Sequence, residues 1–84
     1  MNCFYVVGIK VSHRHANAAK LQEQLTKYGC QIKLRIGQHE TTEESCSDEG
    51  LIILQVCGEK ELLDEMVAAF NQIAGISAKM MDLN

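Results

Sequence analysis

The 84-residue sequence predicts an α+β fold: a ferredoxin-like βαββαβ chain whose four-stranded antiparallel sheet has the order 4-1-3-2, with two helices on one face. Three observations lead there. Four segments of strand-like composition and two helical patterns follow one another as β-α-β-β-α-β. Gly29 and Gly75 close the two helical patterns 75 − 29 = 46 residues apart, which suggests two similar halves. Finally, two of the four strands are apolar on both faces, and they are the two that right-handed crossovers place in the centre.

The first strand is "CFYVVGIKV", residues 3–11, β-branched and aromatic-rich. Tyr5, Val7, Ile9 and Val11 share one of its faces, and Phe4, Val6 and Gly8 the other. The polar turn "SHRHAN" follows, and then Ala18, Leu21, Leu25 and Tyr28 recur at helical spacing, with Gly29 as a left-handed stop. "QIKLRIG", residues 31–37, alternates: Ile32, Leu34 and Ile36 oppose Gln31, Lys33 and Arg35, so the second strand has one wet face.

Residues 38–49, "QHETTEESCSDE", are polar and acidic without apolar periodicity and read as a solvated loop. "GLIILQVCG", residues 50–58, is the third strand, with Ile52, Leu54 and Val56 against Leu51, Ile53 and Gln55. Leu62, Met66, Phe70 and Ile73 then form a helical stripe that Gly75 ends. "ISAKMM", residues 76–81, is the last strand.

A chain of this length is one domain, spanning residues 1–84, and it gains from any partner that covers more of its surface. Net charge is −3 with no Lys/Arg cluster, which argues against nucleic acid held by bulk electrostatics. The apolar runs are far shorter than the roughly 20 residues that span a bilayer, and no signal-peptide pattern is present. Cys3, Cys30, Cys46 and Cys57 show no CxxC spacing, so reduced thiols in a cytoplasm are expected. Strand parity sends Cys3 and Cys30 to the helix-covered face and Cys57 to the other, as separate small hydrophobes, and leaves Cys46 as the reactive thiol.

Two helices cover only one face of the sheet. The other exposes Phe4, Val6, Leu51 and Ile53, rimmed by Lys33, Arg35 and Lys79, and a rimmed apolar patch of this kind marks an interface. A homo-oligomer built through the sheet, dimer or tetramer, is expected. The alternative is a loop or terminus folded across that face.

"FYVVGIKV", "LRIG", "GLIILQV" and "FNQIAGISAKMM" carry a family resemblance over nearly the whole chain. The sequence resembles the iron-only hydrogenase system regulators, stand-alone relatives of ACT domains and of the C-terminal domain of the nickel-responsive regulator. The resemblance implies an oligomeric regulatory or ligand-sensing module without a DNA-binding arm, and it carries over no catalytic residue.

Candidate sites cluster at the end of the sheet where strands one and two finish. In the ACT relatives small effectors bind at the first strand-to-helix turn, which implies a ligand site at Ser12, His13, Arg14 and Asn17. Free N–H groups at the helix start and the guanidinium would suit a carboxylate or phosphate. The structural alternative is that Ser12 or Asn17 caps the helix. His13 and His15, with His39 or Cys46 from the acidic loop, would make a His/His/His or His/His/Cys site for a borderline metal. In the nickel regulator, by contrast, the histidine pair lies within a strand. No CxxC, no Gly-rich phosphate loop and no nucleophile–base pair occurs, so neither an enzyme nor a cofactor is expected. The resulting expectation is a cytoplasmic regulatory module that binds a small effector or a protein partner. A metal-responsive sensor using the His13/His15 turn and an assembly domain without ligand are the alternatives.

Overall fold

A computed structural model describes residues 2–12, 14–38, 41, 42, 45, 46 and 49–84, with side chains placed for 2–12, 17–37 and 49–84. Strand β1 is Tyr5–Val11, helix α1 Arg14–Lys27, strand β2 Ile32–Gln38, β3 Thr41–Thr42, β4 Ser45–Cys46, β5 Gly50–Val56, helix α2 Lys60–Asn71 and β6 Ile76–Asp82. The main sheet has the order β2-β5-β1-β6, all pairs antiparallel. This is the expected 4-1-3-2 arrangement of the four long strands. The two-faced apolar strands β1 and β5 take the central positions because only a strand covered on one side and paired on both edges buries so much apolar surface.

The core lies between the sheet and the helices. Tyr5, Val7, Ile9 and Val11 from β1 and Leu54 and Val56 from β5 meet Leu21 and Leu25 of α1 and Leu63, Met66 and Phe70 of α2. Burying each such side chain contributes about 1.5–3 kcal/mol. Tyr28, just past α1, meets Phe70 edge to face, with ring centroids 6.5 Å apart, and so joins the two helices. Asn71, the last residue of α2, donates to the carbonyl of Ala78 at 3.0 Å and accepts from its N–H at 2.8 Å. Its carboxamide therefore satisfies backbone groups of the edge strand β6 as a neighbouring strand would.

Four expectations are corrected. The chain stops α1 without a left-handed Gly29: positive φ occurs at Gly58 and Gly75, and Gly29–Gln31 form a short 3₁₀ turn instead. The stretch read as a loop contains the small β3–β4 ladder, Thr41 opposite Cys46 and Thr42 opposite Ser45.

The third correction concerns β2. Ile32 pairs with Val56, but Leu34 pairs with Gln55, so Lys33 is an extra residue and the strand bulges. Beyond the bulge the parity reverses. Arg35 and Gly37 pair with Leu54 and Ile52 and turn to the helix side, while Leu34 and Ile36 pair with Gln55 and Ile53 on the open face. Arg35 accordingly does not rim the open face.

The fourth concerns the cysteines. Cys3 and Cys57 form a disulfide, with Cα atoms 4.0 Å apart, where two separate thiols were expected. Regular pairing of β1 with β5 ends at Tyr5 and Val56. Outside it the Gly58 N–H donates to the Asn2 carbonyl at 3.1 Å, one residue out of the strand register, and this sets Cys3 opposite Cys57. Cys30, expected to be buried, is exposed and free. Cys46 contributes backbone to β4, and its side chain lies outside the described set.

Candidate functional site

The turn after β1 is tied to the turn before β6. The Ser12 N–H donates to the Gly75 carbonyl at 2.7 Å. The buried Asn17 donates from Nδ2 to the Ser12 carbonyl at 3.0 Å. Gly75 sits at φ +81° against both, in a left-handed conformation that favours glycine. Of the residues expected to hold a ligand here, Ser12 and Asn17 thus spend polar groups on each other and on the neighbouring turn. Asn17 is the side chain the apolar-stripe reading missed, since it occupies a core-facing position while Ala18 is exposed. His13 lies outside the described residues, and the Arg14 and His15 backbones form the first turn of α1. His39 also lies outside them. Among the described residues no group of three or more His, Cys, Asp or Glu could hold a metal ion.

The open face of the sheet is apolar in successive rows. Ile36, Ile53, Gly8 and Lys79 form one row, and Leu34, Gln55, Val6 and Met81 the next. Phe4 is beside Leu83, whose N–H donates to the Phe4 carbonyl at 2.9 Å. Phe4 is 62% exposed, Leu34 50%, Ile36 54%, Leu51 45% and Met81 55%. Val6 and Ile53 are half-buried by these neighbours. All four residues expected at an interface are therefore on this face. Leu34, Ile36, Met81 and Leu83 were missed: the first two because of the bulge, the others because they fall at the chain's last strand and tail. Lys10 and Lys79 supply its positive charge.

On the other side of the sheet, Arg35 reaches toward α1, and its Nη1 donates to Gln22 Oε1 at 3.0 Å. The parity reversal makes this contact, which strand alternation alone does not anticipate. The Cys3–Cys57 disulfide marks the far end of the sheet, where Gln55 Nε2 donates to the Cys3 carbonyl at 2.9 Å. Among the described residues no helix is long and apolar enough to cross a membrane.

Comparison with solved structures gives the same architecture. An uncharacterized protein from Thermotoga maritima superposes with a TM-score of 0.83 at 23% identity, over 98% of both chains. The ligand-free regulatory subunit of aspartate kinase from Thermus thermophilus is similar with a TM-score of 0.56 at 15% identity, over 94% of this chain and 51% of that one. No family model matches the chain, and no curated protein matches it. At these identities the likeness is one of fold: the ferredoxin-like βαββαβ arrangement in which a four-stranded sheet carries both helices on one side.

Proposed function

We propose that this chain is a non-catalytic regulatory module whose copies associate through the open face of the sheet and whose assembly responds to a small effector or protein partner. The observation that carries the reading is the set of exposed apolar side chains Phe4, Leu34, Ile36, Leu51 and Met81 on one face of the sheet. Monomeric proteins seldom leave such a surface in water. Covering a few hundred Å² of it is worth several kcal/mol at about 25 cal/mol per Å², comparable with the whole stability of a domain this small. The similarity in fold to an aspartate kinase regulatory subunit supports a regulatory role, and the sequence resemblance suggests an iron-only hydrogenase system as its setting.

Native mass spectrometry and sedimentation of the untreated chain test this. The wild type is expected as a dimer or tetramer at micromolar concentration. Ile36→Lys with Met81→Lys sets like charges on the face and is expected to give a folded monomer. A wild-type chain that stays single at about millimolar concentration removes the reading.

A further inference from the structure

A cavity of about 260 Å³ lies between α1 and the part of the sheet formed by β2 and β5. Val11, Leu21, Leu25 and Ile52 give it apolar walls. Ala18 and Gly37 leave it open: both line it, and a Cβ added at Gly37 would meet nothing within 4 Å. Arg35 enters the lining with its guanidinium steadied by Gln22.

The bulge at Lys33 creates this arrangement. Without the extra residue, Leu34 and Ile36 would point under α1 and fill the space, as core packing favours. Instead those two side chains lie on the open face, and a cation and a glycine, both still exposed, take the helix-side positions. Bulges that re-aim side chains recur next to binding sites. An apolar recess with a few polar groups at its mouth, here Arg35 and Gln22, is the general form of a small-molecule site.

We propose that this cavity binds a small organic monoanion, a carboxylate or sulfonate on a short apolar body. The anionic head meets Arg35, whose planar fork suits either group, and the body lies between α1 and β5. At about 30 Å³ per water-sized unit the cavity holds roughly eight or nine non-hydrogen atoms. This site is distinct from the turn at Ser12 and Asn17. It rests on the reading of the chain as an effector-binding module, and names the class of effector.

Hexanoate is a suitable probe, with 1-hexanol as its uncharged counterpart, each titrated into the full ¹⁵N-labelled chain while amide shifts are followed. Saturable shifts are expected at Gly37, Gly50 and Ile52, with hexanoate binding about ten-fold or more tightly than hexanol. Arg35→Gln should erase that preference and leave hexanol binding unchanged. Gly37→Val should weaken both ligands about ten-fold by filling the space; if that variant loses its dispersed spectrum, Ala18→Met narrows the cavity from the helix side. Equal affinity for the two probes in the wild type, an unchanged preference in Arg35→Gln, or shifts confined to the Phe4 and Met81 face would overturn the site. Native mass spectra of the same samples separate the two readings. Selective hexanoate binding by a chain that stays monomeric removes the association and keeps the cavity, whereas an assembled chain without selectivity does the reverse.

Discussion

A methyl group placed on Gly75 would stand 2.6 Å from Nδ2 of Asn17 and 2.8 Å from the Ser12 carbonyl oxygen. The first neighbour is a side-chain tip, but the second is backbone that cannot withdraw without breaking the Ser12–Gly75 hydrogen bond. Gly75→Ala is therefore expected to cost about 2–4 kcal/mol, combining the left-handed penalty with the clash. Asn17→Ala should cost about 1–3 kcal/mol, because it strips the Ser12 carbonyl of a partner. Thermal melts of both variants check the knot; a Gly75→Ala chain melting with the wild type would show that the two turns are not fastened as described.

The bulge gives a second expectation, because it decides which side of β2 is wet. Leu34→Asp places a charge on the open face and should cost no more than about 1 kcal/mol in dilute solution, where association does not contribute. Leu54→Asp, at a fully buried position, should leave little folded protein. Circular dichroism of the two variants discriminates. Unfolding by Leu34→Asp would restore the simple alternation in which Leu34 faces the helices.

The same residue shows how far the fold was legible in the sequence. Strand order could be read because burial acts on whole strands: a run such as "GLIILQV" has no polar face to expose and must be central. Local departures from regular pairing carry no such mark. Lys33 looks like any wet-face residue of an edge strand, yet its extra position moves Leu34, Arg35, Ile36 and Gly37 to the opposite sides. Cys3 and Cys57 were assigned opposite faces by extending strand parity past the points where the strands end. The Phe4, Val6, Leu51 and Ile53 surface was visible because those strands hold their register. The Arg35 cavity was not visible, since it exists only through the bulge.

The Cys3–Cys57 link closes 54 residues of sequence separation, enclosing most of the chain between the start of β1 and the end of β5. Chain-entropy reasoning puts its stabilisation at about 4 kcal/mol at most, acting mainly on the unfolded state. Cys3→Ser is expected to lower stability by about 2–4 kcal/mol in urea titration without altering the association proposed for the open face, and Cys30→Ser to change it little. Alkylation of unreduced protein followed by peptide mapping should label Cys30 and spare Cys3 and Cys57. Full labelling of Cys3 without reductant would place the link in doubt.

The carboxylate of Asp82 gives a pH-dependent expectation at the end of β6. Its Oδ1 accepts from the Asn84 backbone N–H at 2.9 Å and from the Asn84 side chain at 2.8 Å. The Asn84 Oδ1 in turn accepts from the Phe4 N–H at 3.0 Å. The backbone N–H first and then the side-chain N–H hold Asp82 below the ordinary carboxylate value, against a smaller opposing desolvation, and the more distant Lys60 charge adds least. A carboxyl depressed by folding contributes above its unfolded value and loses that contribution as pH falls through the folded one. Acid should therefore loosen the Asp82–Asn84 contact, and with it the bond from Phe4, one of the residues of the open face. Carboxyl and amide NMR titrations check this. Asp82 should titrate below the ordinary aspartate value, the Phe4 amide should report the same transition, and Asn84→Ala should move Asp82 partway back up. A silent Phe4 amide would separate the tail from the face it borders.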